Sequence, residues 1–168
     1  MSKFIHVSTR LHCDLNAAQR MFLIGEKLEK WLCTKAEVEN KTNGKFDVLI
    51  DTKSGSWDTA GSVIVEKEYE RLIKIRMKLP ERFAVGFVSD EASVVEINFM
   101  QGTSRTEYCT EVHLIHRGFE DSDEGEKARE GLKELWEEAL EKLRAEINGD
   151  WVIEDRDLTQ SCLNNRSL

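Results

Sequence analysis

Histidine is the side chain best suited to metal binding and proton transfer near neutral pH, and the stretch TEVHLIHRGF contains two of them, His113 and His116. The alternating apolar residues of this stretch predict a β-strand, in which successive side chains point to opposite faces. Because residues three apart in a strand lie on opposite faces, the two histidines cannot bind one metal ion together. If Val112 and Leu114 face the core, His116 faces it too, and His113 faces solvent. His116 is then either a pocket residue or a histidine at the rim of the sheet that bonds to the backbone.

The other residues able to bind metals or act as nucleophiles have no recognisable site spacing. His6 and His12 share one face of the first predicted strand but lie about 20 Å apart at strand rise, so we interpret both as surface histidines. Ser62 and Ser93 have no evident His and Asp partners, and the sequence has no phosphate loop and no HExxH motif. No catalytic residue, metal or cofactor is therefore predicted. Four cysteines without zinc-site or redox spacing are expected to be reduced packing residues, namely Cys13, Cys33, Cys109 and Cys162.

Two hydroxyls and one indole are further candidates. Tyr108 and Thr110 have the same strand parity as Val112, so they are either polar tips inside an apolar cavity or groups that satisfy the local backbone. Trp57 lies in SGSWDTAG, which has the composition of a loop. An aromatic residue on a loop forms a lid, contacts a partner or folds back onto the sheet.

The net charge of −8 comes from 24 Lys and Arg residues against 32 Asp and Glu residues, spread along the chain. Phosphate backbones are repelled by such a surface, so nucleic acid is disfavoured as a partner. Lys74, Arg76 and Lys78 form either a local basic patch or the solvated face of a strand. No run of 18 or more apolar residues occurs, and the start of the sequence has no signal-peptide cleavage site, so we expect a cytoplasmic protein without a membrane span.

The order of predicted elements begins with a strand at residues 3–12. Asp14 or Asn16 then caps a short helix that Gly25 interrupts, and a second short helix follows at 26–32. Alternating segments separated by turn sequences such as TNGK and QGTS come next. They predict six strands, at residues 35–39, 45–51, 61–69, 71–79, 93–100 and 105–116.

Apolar residues recur at steps of three and four from 122 to 147, which predicts one long amphipathic helix. We expect residues 149–168 to form a flexible tail, with docking of 151–153 as the alternative. The fold class is therefore α+β: a curved antiparallel sheet of six to seven strands wrapped around a long C-terminal helix, with two short helices after strand 1.

A helix and a concave sheet touch along a line, and the space beside that line becomes either core or ligand cavity. The residues whose parity or helix face directs them to this space are Ile73, Ile75, Met77, Val95, Ile97, Phe99, Tyr108, Thr110, Val112, Leu114, His116, Leu132 and Trp136.

Five fragments carry a resemblance to a known family: EKLEKWL, NGKFDVLI, TAGSVIVEKEYERLIKIRMK, TEVHLIHRGF and LWEEALEKL. In this order, over residues 3–147, the chain resembles the helix-grip (START-like, SRPBCC) superfamily, and within it the branch named after the activator of the heat-shock-protein-90 ATPase. The resemblance implies a helix-grip domain at 1–148. The chain departs from the family in having Leu135 where relatives often have Gly before the last tryptophan, and in a longer segment at 80–93.

Three functions remain open from the sequence. The first is a non-enzymatic module that binds a small apolar or lipid-like molecule in the cavity. The second, implied by the resemblance, is a co-chaperone that binds a heat-shock-protein-90 chaperone and stimulates its ATPase in a stress response. The third is an enzyme acting inside the cavity, for which no cluster of acid, base and nucleophile is visible.

Overall fold

The computed structural model describes residues 4–53, 55–102 and 109–149. Strands and helices follow the predicted order, and a short 3-10 turn, Asp90–Ala92, precedes β7. The elements are β1 (Ile5–Leu11), α1 (Leu15–Leu23), α2 (Gly25–Leu28), β2 (Cys33–Val38), β3 (Phe46–Thr52), β4 (Gly55–Asp58), β5 (Val63–Glu68), β6 (Leu72–Arg76), α3 (Glu81–Ala84), β7 (Val94–Gln101), β8 (Thr110–Arg117) and α4 (Asp123–Asn148).

The strands form two antiparallel sheets. One has five strands in the order β1-β8-β7-β6-β5, and the other has three in the order β2-β3-β4. In the larger sheet, Ile75 is opposite Val95, Val95 is opposite His116, and His116 is opposite Ile5. All four side chains are buried, so the inner face predicted from strand alternation is confirmed.

Residues 43–46 join the two sheets. The N–H of Asn43 donates to the carbonyl of Ile64, and the N–H of Phe46 donates to the carbonyl of Ser62. This segment pairs with residues 62–64, so it covers the beginning of β5 at that edge of the five-stranded sheet. The opposite edge of the sheet is β1.

Helix α4 packs against β1 on one side and β3 on the other. Ser122 is its N-cap and accepts a hydrogen bond from the N–H of Gly125, while Gly149 ends it with a positive φ. The buried stripe of α4 joins residues from both sheets in one core. The predicted helix at 122–147 and the α+β helix-grip fold are confirmed, although the strands form two sheets rather than the one curved sheet that was predicted.

Three details differ from the sequence prediction. Eight strands are described rather than six or seven, because the SGSWDTAG segment contains β4, where pairing with β3 outweighs its loop-like composition. The second helix is shorter than predicted. Residues 80–93 contain α3 and the 3-10 turn, while Phe87 makes an isolated bridge to Phe119. Residues 105–108 of the last predicted strand and the tail from 150 onward lie outside the described residues.

Candidate functional site

His116 lies inside the protein, near the end of β8, and none of its surface is exposed. Val112 and Leu114 point to the same side of the strand and are also fully buried. The strand alternation therefore places this histidine on the correct face. It is not at the sheet rim, and its ring nitrogens bond to side chains rather than to the backbone.

Both ring nitrogens of His116 have partners. The indole Nε1 of Trp136 donates to Nδ1 at 3.1 Å, and Nε2 lies 2.9 Å from the hydroxyl oxygen of Ser93. An indole N–H is only a donor, so Nδ1 must be an acceptor and the ring proton lies on Nε2. His116 therefore donates from Nε2 to the Ser93 hydroxyl. The three side chains connect α4, β8 and the loop before β7.

Burial lowers the pKa of His116 to about 3, from an ordinary value near 6.5. An imidazolium in this apolar interior would lose its hydration, which disfavours the charged form. The ring is therefore neutral near neutral pH. It offers hydrogen-bonding groups rather than a positive charge.

The contact between Ser93 and His116 does not have the polarity of a nucleophile and its base. In a serine hydrolase the histidine accepts the serine proton, whereas here the histidine donates to the serine oxygen. The other ring nitrogen is occupied by Trp136, where a hydrolase would place a carboxylate. Sequence spacing does not reveal this contact, because the partners are 23 residues apart. The arrangement suits binding rather than hydrolysis.

Four aromatic rings surround the imidazole of His116, and we call these five side chains the aromatic cluster. The ring centroids of Trp57, Phe87, Phe119 and Trp136 lie 6.4, 5.4, 5.5 and 6.2 Å from that of His116. Trp57 and Trp136 meet edge to face at 5.5 Å, and Phe87 and Phe119 lie 4.3 Å apart. The cluster thus places an imidazole, with one donor and one acceptor nitrogen, among four aromatic rings, and such a combination of few polar groups with apolar surface is typical of ligand pockets.

Trp57 belongs to this interior rather than to a surface loop. Its side chain is fully buried, and its Nε1 donates to the carbonyl of Lys78 at 2.6 Å. Pairing of Trp57 with Ile50 in the smaller sheet directs the indole inward. Of the three interpretations of this tryptophan, folding back onto the sheet is the correct one. Its inward direction depends on β4, which the sequence pattern did not identify.

Residues 80–93, which we call the covering segment, lie over one end of the aromatic cluster. The ring of Phe83 in α3 packs on α4 at Gly131, where an added Cβ would be 2.6 Å from the ring. Phe87 is buried and contacts His116, whereas Val85 and Val88 on either side are each 69% exposed. The segment is therefore held to the core by its phenylalanines.

Gly118 lets the end of β8 approach the covering segment. Its φ is +110°, and an added Cβ would lie 2.2 Å from the carbonyl oxygen of Ala92. The carbonyl of Gly118 accepts a hydrogen bond from the N–H of Val88 at 2.9 Å. The two positions expected from the resemblance to differ from relatives, the segment at 80–93 and Leu135, are near each other, because Phe83 of the covering segment rests on Gly131, one turn before Leu135.

Of the residues predicted to line the cavity, Tyr108 lies outside the described residues. The remaining ones are all on the inner side, each at most 3% exposed. Thr110 donates from Oγ1 to the carbonyl of Cys13 at 2.8 Å, so its hydroxyl satisfies nearby backbone. The predicted lining is thus brought together, and in this structure its side chains pack against one another.

Sequence reasoning missed Ser93, Phe87 and Phe119 as neighbours of His116. Phe119 stands at the end of the stretch TEVHLIHRGF, and Phe87 lies in the long segment at 80–93. No periodic signal identifies these residues, because each lies outside regular elements.

On the outer face, the ring of His6 contacts the ring of His113 across β1 and β8. Nε2 of His6 lies 3.0 Å from Nδ1 of His113, whose Nε2 lies 3.3 Å from Glu111. Arg10 completes this row by donating to Glu111 at 3.1 Å. His12 is not part of the row. Among the described residues, no three His, Cys, Asp or Glu side chains converge as a metal site would require.

The described cysteines are free thiols, and Cys162 lies outside the described residues. Burial raises the pKa of Cys13 to about 12 and that of Cys33 to about 11. Such thiols remain protonated and weakly reactive. Their packing role agrees with the sequence interpretation.

Two antiparallel sheets closed over a long C-terminal helix, with two short helices after the first strand, form a helix-grip domain of the START-like, SRPBCC superfamily. Residues 17–148 match the family model described as "Activator of Hsp90 ATPase homolog 1-like protein". The chain belongs to this family.

Solved structures agree with this fold at low sequence identity. An HSP90 activator from Plasmodium falciparum superposes with a TM-score of 0.61 at 18% identity, covering 86% of this chain and 96% of the other. Protein MLL2253 from Mesorhizobium loti gives 0.62 at 17%, covering 84% and 94%. CalU16 from Micromonospora echinospora gives 0.63 at 17%, covering 96% and 84%. No protein with a curated description matches the chain by sequence.

No helix in the described part of the chain is both long enough and apolar enough to cross a membrane. Lys74 of the predicted basic patch points to the outer face and forms salt bridges with Glu66 at 3.4 Å and Glu96 at 3.8 Å. Part of the patch is therefore already neutralised by neighbouring carboxylates.

Proposed function

We propose that the protein binds a small apolar or lipid-like molecule in its interior, between the larger sheet and α4, next to His116. The observation that carries this proposal is a fully buried, neutral histidine whose partners are Ser93 and Trp136, surrounded by aromatic rings. Apolar pockets orient their ligands with a few convergent polar groups of this kind. His116 and Ser93 supply a donor and an acceptor that a ligand can share.

The entry route in this proposal is displacement of Phe87. Its ring lies 5.4 Å from the imidazole and belongs to the covering segment, whose Val85 and Val88 already face solvent. Moving Phe87 outward would open space about the size of an aromatic ring beside His116. A ligand ring would then replace the Phe87 contacts, so that closing over the ligand restores the buried apolar area.

Thermal unfolding against a panel of fatty acids and aromatic metabolites tests the proposal. A ligand that binds only the folded state raises the melting temperature, and the indole N–H signals of Trp57 and Trp136 should shift with it. His116→Leu should abolish the ligand-dependent rise, each variant being compared with its own ligand-free melting temperature. His113→Leu, on the outer face of the same strand, is the matched control and should keep it. No rise across the panel, or an equal rise with His116→Leu, would contradict the proposal.

A second candidate is a co-chaperone that stimulates the ATPase of a heat-shock protein 90. It is favoured by the family match over residues 17–148 and by the fold shared with a Plasmodium falciparum protein described as an HSP90 activator. Its test is a pull-down followed by an ATPase assay with purified heat-shock protein 90. An unchanged rate at saturating protein would exclude this role. His116→Leu separates the two candidates, since a surface-mediated activity should survive it.

The proposed setting is the cytoplasm, as expected from the sequence. Nucleic acid is not a proposed partner, because the net charge is −8 and Lys74 already forms salt bridges with carboxylates. Phosphate contacts would have to overcome repulsion from the acidic surface.

A further inference from the structure

A groove of about 380 Å³ lies between β1 and α4. β1 is the end strand of the five-stranded sheet, and at the opposite edge residues 43–46 pair with the beginning of β5. One wall of the groove is formed by β1 from His6 to Thr9 and the other by successive turns of α4 from Lys133 to Arg144. The groove therefore follows a sheet edge that no described strand covers.

The side chain of Asn148 shows which main-chain groups of β1 face this edge. Its Nδ2 donates to the carbonyl of Arg10 at 3.2 Å, and its Oδ1 accepts from the N–H of His12 at 2.9 Å. The N–H and C=O of one strand residue point to the same side, and the side alternates along the strand. Ser8 and His6 thus direct their main-chain groups to the groove, as Arg10 does.

Asn148 satisfies the end of this edge as an added strand would. Its amide places an N–H on one carbonyl and a C=O on the N–H two residues later, which is how peptide groups pair with a strand. Asn148 is 5% exposed and occupies only the positions next to Arg10 and His12. Within the described residues, the main-chain N–H and C=O of Ser8 and His6 at this edge have no such partner.

We propose that the edge of β1 along Ser8 and His6, which no described strand covers, binds an extended segment of another polypeptide, which adds to the larger sheet as a sixth strand. Unpaired main-chain groups on a sheet edge are a template for strand addition, and the Asn148 amide already uses the same chemistry. β1 contains no Pro or Lys to block pairing. Lys133 and Glu137, one turn apart on the other wall, favour side chains of opposite charge on the bound segment.

Ser8→Pro tests this pairing directly. Proline removes the Ser8 N–H and places its ring at the edge, but the hydrogen bonds between β1 and β8 belong to the neighbouring residues and remain. Ser8→Ala keeps the N–H and is the matched control. The probes are peptides of about a dozen residues selected from a displayed random library against the full chain. We expect binding at least about tenfold weaker with Ser8→Pro and nearly unchanged with Ser8→Ala.

Amide hydrogen exchange in the wild-type chain gives a second readout that needs no variant. Exchange at Ser8 and His6 should be fast without peptide and slow with it. Equal peptide binding by both variants, failure to select any peptide, or slow exchange before peptide is added would overturn the proposal. If exchange is already slow without peptide, analytical sedimentation identifies what covers the edge of β1. A doubled mass means a second copy of the protein, and a monomer mass means another segment of the same chain. His116→Leu should lose binding of the interior ligand but keep binding of the peptide. The proposal for β1 can therefore be contradicted without contradicting the proposed interior ligand, and the reverse is also true.

Discussion

The indole Nε1 of Trp136 donates a hydrogen bond to Nδ1 of His116, across 3.1 Å of fully buried interior. This bond joins α4 to β8 inside an otherwise apolar core. A displaced helix would leave both groups without partners in a place where water cannot reach them, so the bond favours one position of the helix along the sheet.

Trp136→Phe should destabilise the protein by about 1 to 3 kcal/mol, because a buried acceptor loses its donor while an aromatic ring is retained. Urea denaturation measures the free energy of unfolding. Nitrogen NMR of His116 reports the tautomer, which should no longer be held with the proton on Nε2. A change within about 0.5 kcal/mol and an unaltered tautomer would show that the bond has little influence.

Stability should fall with acid in a way that depends on His116. Its folded pKa is about 3, whereas an unfolded histidine titrates near 6.5, so the unfolded state binds the extra proton in the window between these values. The contribution of the neutral His116 ring to the free energy of unfolding is fully present above about pH 6.5. It is lost progressively toward pH 3, with a slope of up to about 1.4 kcal/mol per pH unit.

Urea denaturation at several pH values, with wild type and His116→Gln compared, isolates this contribution from that of the carboxylates. Wild type should lose stability more steeply below about pH 6. Parallel curves for wild type and His116→Gln would show that the buried ring titrates normally.

Gly118→Ala should be strongly destabilising, by more than the roughly 1 to 2 kcal/mol that a left-handed backbone costs a residue with a Cβ. The additional cost comes from the Ala92 carbonyl, 2.2 Å from the new Cβ. Gly149→Ala is the control, since Gly149 has a φ of +56° with nothing within 4 Å of an added Cβ. Thermal and urea unfolding should separate the two variants, and equal losses would contradict the steric explanation.

Gln19→Leu should cost about 2 to 3 kcal/mol, because it strands backbone groups at the turn between β5 and β6. Gln19 is 3% exposed, donates to the carbonyl of Glu68 at 2.8 Å and accepts from the N–H of Glu70 at 2.9 Å. Hydrogen exchange at the Glu70 amide should accelerate in step with the loss of stability. Arg20→Leu, at the neighbouring exposed position, should change stability by less than about 0.5 kcal/mol. An unprotected Glu70 amide in wild type would rule out this role for Gln19.

The core faces were predictable because they depend on backbone repeats. Val112, Leu114 and His116 alternate with polar residues at the period of a strand, and Leu132, Leu135 and Trp136 recur at the period of a helix. These periods are local properties of the chain, so the inner face of β8 and the buried stripe of α4 follow without knowledge of any partner.

The partners of His116 were not predictable in the same way. Ser93 and Phe87 lie in irregular segments, and Trp57 turns inward only because β4 pairs with β3. Short segments like these have weak intrinsic preferences, and their conformation depends on what the rest of the chain places beside them.

From the sequence alone, the order of elements, the inward face of the last strand and the long amphipathic helix were determined, because regular spacing of apolar residues reflects backbone geometry. Only the tertiary structure decided that His116 is neutral and enclosed by four aromatic rings, and that Asn148 covers part of the outer edge of β1. Those features depend on contacts between residues 20 or more positions apart, which exist only once the sheets have closed over α4.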